Sequence, residues 1–387
     1  ATGPGGAGGG NITWQAGAPI DYSGSIGTLT LDASGYITLN SNITAGSGGL
    51  TLQAGAGYVE AAPGVTLALG GPLNVSTGDT TIGTAGFTSP ELAATLTGNG
   101  ALSKTGNGRL ILSGNSNTWS GNTDVQTGML RVSNANALGT TTATKIQSGA
   151  TLEIAGGISL AENVELFGGG LLRNWSGDNS LTLPLLLMGS STVDVLQDSL
   201  TLNPTAGNAV SVDVADAADN SDLTLSGSGE LVFQGVLDLR DGQSTATYGD
   251  FQQTGNGVAR FANAVLAQRV ESTGGGTIWM DQPAGTSVIA PSGGTLFFDN
   301  GSTLRRDSTE TVSGTSLELG AGGGELSVGS GFTLTWDSPI SGSGAFTKSG
   351  AGTLKFPASA SISYSGATLV KDGSLDVLSA SPTTATC

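Results

Sequence analysis

Any chemistry done by this sequence has to come mainly from carboxylates, because its 387 residues hold 30 Asp and Glu, 13 Lys and Arg, one Cys and no His. Serine-histidine relays and imidazole metal sites are therefore excluded. Cys387 stands alone at the last position, so thiol catalysis is implausible and no internal disulfide can form; it is a candidate intermolecular thiol or simply an exposed end. Sugar hydrolysis by paired acids needs carboxylates converging at about 5 to 10 Å, usually beside aromatic platforms. The densest acidic run is Asp213, Asp216, Asp219 and Asp222. These oxygens could fold into a calcium-binding turn, although the spacing fits neither an EF-hand loop nor the Gly-Gly-x-Gly-x-Asp repeat, and a solvated loop is the alternative. Trp175 and Trp279 each follow a Gly-Gly-Gly and are the candidates for stacking on glycan rings, with core packing as the competing role. Sequons at Asn11, Asn42, Asn74, Asn174 and Asn300 are candidate glycosylation acceptors, in a chain whose Ser and Thr content produces such triplets by chance. The Gly168-Gly-Gly170 run lacks the Lys-Ser/Thr and the strand-to-helix setting of a phosphate loop. The expectation is a chain with no catalytic residues and no cofactor.

The charge balance agrees. A formal net charge of −17, with the basic residues scattered except for Arg305-Arg306, argues against nucleic-acid binding. No run approaches the roughly 18 apolar residues of a membrane helix, and the N-terminus lacks a signal-peptide profile. The sequence reads as a mature portion whose secretion signal or anchor was removed or lies beyond these ends.

The elements that would position these groups are short strands. In Gly27-Thr-Leu-Thr-Leu, then Ile37-Thr-Leu and Gly49-Leu-Thr-Leu, aliphatic and polar residues alternate, which puts Leu29, Leu31, Ile37, Leu39, Leu50 and Leu52 on one face. The motif returns after some twenty residues, the length of one coil in a parallel solenoid. About nineteen stacked coils would account for the chain. Glycines are placed at the corners, 65 of them in all, and no stretch sustains a 3.6-residue period, so almost no helix is expected. The fold class predicted is all-β, a parallel β-helix.

One long unit occurs twice. Ala101-Leu-Ser-Lys-Thr-Gly-Asn-Gly-Arg-Leu-Ile-Leu runs on through Trp119-Ser-Gly to Gly128-Met-Leu-Arg-Val. Its partner, Ala345-Phe-Thr-Lys-Ser-Gly-Ala-Gly-Thr-Leu-Lys-Phe, runs on through Tyr364-Ser-Gly to Gly373-Ser-Leu-Asp-Val. The aromatic precedes the Gly-x-Leu by nine residues in both, with a single-residue length change before it. Shorter echoes lie at Leu96, Leu225 and Ile340.

This unit resembles the passenger-associated repeat of Gram-negative autotransporters, which forms coils of a right-handed β-helix. The N-terminal coils, from Asn11-Ile-Thr-Trp14 through Ile37-Thr-Leu-Asn-Ser-Asn-Ile, are similar to filamentous-haemagglutinin and high-molecular-weight adhesins secreted by the two-partner route. The resemblance implies one β-helix over residues 1–380: haemagglutinin-like coils at 1–95, repeats at 96–140 and 340–380, and less regular coils with loop insertions at 141–339. Residues 381–387 would be a flexible tail. It further implies a non-catalytic segment of a large secreted adhesin, at the cell surface or in the extracellular matrix, acting in attachment, aggregation or biofilm formation. Implied partners are a host surface, a matrix polysaccharide or further copies, and an outer-membrane barrel during export. A glycan-binding module is the second reading, with exposed aromatics and carboxylates expected between Asp213 and Arg269; a polysaccharide-degrading enzyme is the third. The sequence departs from these families in lacking the Asn-Pro-Asn-Gly secretion motif and any membrane-barrel stretch, which implies an internal or carboxyl-proximal segment.

Overall fold

Strands of two to six residues, too short to stand alone, gain stability only by stacking. In the computed structural model, which describes residues 10–78, 91–140, 143–205, 207–212, 221–240, 248–283 and 293–378, they do so almost entirely in parallel. The chain is an all-β parallel solenoid of about 15 turns, about 22 residues each, with no helix among the described residues. Fewer, larger turns than the sequence suggests follow from oversized coils. Between Leu196 and Ser228, which are hydrogen-bonded neighbours in the stack, the chain travels 32 residues.

The chain divides into two compact units, Ala1–Leu185 and Leu186–Cys387. In the first, one ladder runs Leu29–Ala33, Leu50–Ala54, Leu73–Thr77, Leu102–Thr105, Thr123–Val125, Thr144–Ile146 and Val164–Phe167. A second runs Arg109–Leu112, Met129–Val132, Thr151–Ala155 and Leu171–Ser176, and it admits a bulge opposite Ile154 and Ala155. A third, Ile20–Asp21, Ile43–Ala45, Thr66–Leu69 and Thr95–Gly98, closes the earlier coils. In the second unit, strands Glu230–Phe233, Val258–Phe261, Thr277–Met280, Ser302–Arg306, Gly324–Val328, Phe346–Ser349 and Thr368–Val370 stack in order. The ladder running from Ser191–Val195 through Leu223–Gly227 to Ile340–Gly342 forms another face. Among the described residues one antiparallel bridge, Arg240 with Tyr248, interrupts the pattern.

Period-2 alternation sends every second side chain inward, and identical register lets aliphatics of successive coils stack as Leu31, Leu52 and Val75 do. Ile37, Leu39, Leu50, Leu52 and Leu73 are fully buried, as the alternation requires. Corners are made by glycine where the sequence placed it. The middle residue of each Gly-Gly-Gly, at positions 169, 275 and 323, has φ of 83°, 77° and 74°, a conformation other L-residues enter at a cost. At the third position a Cβ on Gly276 would lie 2.4 Å from Gln253 Nε2, so the corner also needs the missing side chain.

Candidate functional sites on the coil faces

Because successive coils sit about 4.8 Å apart, outward side chains separated by one turn become touching neighbours. This turns a sparse set of arginines into clusters. Ile111, Arg131, Glu153 and Arg173 occupy one column of the first unit. The Glu153 carboxylate, wholly buried, takes Arg131 Nη2 at 2.9 Å, Arg109 Nη2 at 3.0 Å and Arg173 Nη1 at 3.4 Å. Trp175, half-buried, lies over the Arg131 and Arg109 guanidiniums at 4.3 and 5.3 Å. Burial pushes the Arg109 guanidinium down from its ordinary value, and Glu153 opposes that.

The second unit repeats the device. Arg260, Trp279 and Arg305 are consecutive in one column, so each face of the indole carries a guanidinium, at 4.2 and 4.0 Å. The two arginines are themselves paired with Asp281 and Asp307. Both tryptophans proposed for sugar stacking therefore lie against arginines of this chain. Trp119, by contrast, is fully buried at a corner, whereas Tyr364, its counterpart in the second repeat, is half-buried and tilts against Phe346 with ring centroids 5.6 Å apart.

Arg305 and Arg306, adjacent in sequence, go to opposite faces. Arg306 points into the solenoid, fully buried, and its Nη1 donates to Met280 O at 2.6 Å and Gln282 Oε1 at 2.7 Å, while Nε donates to Glu310. The alternation carried this signal, since Leu304 and Arg306 share a face.

Of the acidic run, Asp213, Asp216 and Asp219 lie outside the described residues. Asp222 accepts the backbone N–H of Asp250 at 2.8 Å. Burial first, and the neighbouring Asp222 carboxylate second, push the Asp250 carboxyl above its ordinary value. No group of three or more metal-binding side chains occurs among the described residues. A glycan-binding module would expose aromatics between Asp213 and Arg269; of the described residues there, Phe233, Phe251 and Phe261 form a buried stack with centroids 4.7 to 5.9 Å apart.

The sequon asparagines are largely engaged. Asn11 Oδ1 accepts from Tyr36 N and Asn42 Oδ1 from Thr66 N, pinning neighbouring coils. Asn74 Nδ2 donates to Thr51 Oγ1, and Asn300, at φ 54°, donates to Thr273 O. Asn174 is fully buried and donates to Gly177 O, so a modification there would have to precede folding. Cys387 lies outside the described residues.

The repeat itself holds the feature that reading by sequence missed. Lys104 stands in an inward column between Val75 and Val125, fully buried. Its Nζ donates to Thr105 O at 2.6 Å, Gly106 O at 2.9 Å and Thr127 O at 3.3 Å. Lys348, between Leu326 and Val370, does the same with Ser349 O, Gly350 O and Asp372 O at 2.6, 2.7 and 3.0 Å. Burial pushes the Lys104 ammonium down to about 8 from an ordinary 10.5. Between those values the unfolded chain keeps a proton that the folded chain has released, so this group's contribution to stability rises with pH across that window and is smallest below about 8. The sequence signal was a lysine two residues after Leu102, and again after Phe346, on the face that alternation turns inward.

Residues 102–132 and 346–377 match the family model described as the passenger-associated-transport-repeat. No curated protein and no solved structure matches the chain.

Proposed function

We propose that this chain, which carries two passenger-associated-transport repeats of the autotransporter type on a β-solenoid, is a surface-exposed passenger segment serving as a non-catalytic stalk of an adhesin. The repeats imply a secreted or cell-surface Gram-negative protein. The reading of export through an outer-membrane barrel, with folding outside the cell, follows from them.

The observation that carries the stalk reading is the self-pairing of the outer faces. Arginine is the side chain best suited to grip an acidic or aromatic ligand. Here Arg109, Arg131, Arg260, Arg269 and Arg305 are each stacked on an aromatic ring of this chain and also paired with one of its carboxylates. Such ladders stiffen the column and leave little to offer a sugar. Attachment, aggregation and biofilm formation then come from lateral packing of copies or from parts held outward by the coils, toward a host surface or matrix polysaccharide. Alternating Thr, Ser and Glu along the outer columns keep those faces hydrated.

The test is a glycan array together with a pull-down against the producing cells' own matrix polysaccharide. Any glycan or polysaccharide binding by the natural protein should not depend on these coil faces, and the protein should release no reducing ends or unsaturated sugars from acidic polysaccharides. Trp279→Ala should cost about 1 to 2 kcal/mol of stability through its two lost cation–π contacts, leaving cell attachment unchanged. Saturable glycan binding that disappears in Trp279→Ala would overturn the stalk reading in favour of a glycan-binding module.

A further inference from the structure

A lysine in an aliphatic column is costly, and a chain that repeats it at the same place uses it for something. Removing an ammonium from water costs several kcal/mol unless its protons are bonded. Around Lys104 the bonding groups are three backbone carbonyls, and no carboxylate among the described residues pairs with it. Two of these carbonyls, Thr105 O and Gly106 O, belong to the end of the lysine's own strand and the corner that follows it. The third, Thr127 O, belongs to the equivalent corner of the next coil, between Thr123–Val125 and Met129–Val132.

The second repeat rebuilds the three-carbonyl arrangement in a more open setting, where the Asp372 and Glu325 carboxylates also act on the Lys348 ammonium and Val370 is exposed. Its extra residue is absorbed before Tyr364, and Asp372 O takes the place of Thr127 O. The corners match too. Gly106 and Gly350 have φ of 73° and 71°, while Gly128 and Gly373 have 70° and 68°. A Cβ would meet a backbone oxygen at 2.4 Å at Gly106 and at 2.3 Å at Gly350, so both corners are held to one geometry. The Lys-Thr/Ser-Gly-x-Gly signature therefore describes one half of a site, and the Gly-x-Leu nine residues after the aromatic brings the other half.

We propose that Lys104 and Lys348 are coil latches: each ammonium fills a three-carbonyl site divided between two successive coils, so that the second coil docks in the one register that completes the site. An aliphatic residue at this position would let the short strand Thr123–Val125 slip by two residues and still bury the same face. A fixed trio of carbonyls does not tolerate that slip, because the third acceptor would move by two residues' rise, about 7 Å. The latch contributes specificity of stacking, and the three bonds offset its burial cost only in part, since burial still pushes the ammonium down to about 8. It couples the coil pair of each repeat into one folding step, independently of anything the outer faces bind.

Pulse acylation of amines during refolding of the natural protein tests this without substitution. Of the five lysines, Lys104 and Lys348 should be the slowest to react in the folded state, by about a hundredfold relative to Lys145, Lys355 and Lys371. Their protection should appear in the same kinetic phase as amide-hydrogen protection of Met129–Val132 and Ser374–Val377. Protection that appears earlier, together with their own strands Leu102–Thr105 and Phe346–Ser349, would overturn the latch. In a second arm, Lys104→Met should lower amide protection in Thr123–Val132 by about tenfold or more while Leu73–Thr77 keeps its own. Unchanged protection in Thr123–Val132, or an equal loss in every coil, would count equally against it.

Discussion

Arg306→Ala is expected to lower the unfolding free energy by about 3 to 5 kcal/mol, because it leaves a buried carboxylate without its counter-charge. Glu310 lies almost fully inside with Arg306, and Met280 O and Gln282 Oε1 lose their donor at the same time. Stability in a solenoid is roughly a sum over neighbouring coils. The loss should therefore be concentrated in Thr277–Met280 and Ser302–Arg306, with coils of the first unit unaffected. Replacing both charges, as Arg306→Met with Glu310→Leu, should recover most of it, since two apolar side chains of similar volume remove the burial cost along with the bond. Urea unfolding with residue-resolved amide exchange checks both. A single substitution costing less than about 1 kcal/mol would mean that Arg306 is hydrated and that the interior column is not closed there.

Glu153→Gln should have a comparable effect, about 3 to 5 kcal/mol, with the sign reversed in charge. The carboxylate is the common acceptor for Arg109, Arg131 and Arg173, and a neutral amide would leave guanidiniums crowded under Trp175 without it. Because Arg109 and Arg131 retain only 9% and 11% of their side-chain exposure, added salt should screen the lost attraction poorly and should rescue little of the stability. Thermal unfolding at low and high ionic strength reads this directly. Full rescue by salt would show the cluster to be a surface network of small worth.

These two sites show what a sequence of this kind reveals and what it conceals. Inward aliphatics, glycine corners and the repeated unit are local signals, so the parallel solenoid was legible from Leu29, Leu31, Leu50 and Leu52 and from the recurrence at Ala101 and Ala345. The outer clusters are set by register between coils. Arg131, Glu153 and Arg173 lie a turn apart, and only the stacking Leu130-Leu152-Leu172 makes them neighbours. Coil lengths vary, from 19 residues between Val258 and Thr277 to 32 between Leu196 and Ser228, so counting along the chain does not give the register. The setting of the tryptophans is concealed for the same reason: Trp279 gains Arg260 and Arg305 as neighbours only from the coils to either side. Lys104 and Arg306 were readable in principle, since alternation alone turns both inward.

The claim that this chain is an exported passenger folded into a stalk is tested most directly by external protease on intact Gram-negative cells producing the natural protein. The chain should be reached by an outside antibody without permeabilising the cells. Limited digestion should leave long resistant fragments that carry one repeat or the other, because the hydrogen-bonded coils around residues 102–132 and 346–377 resist cleavage. A chain found only after permeabilisation, or one degraded evenly from the outside, would contradict the account.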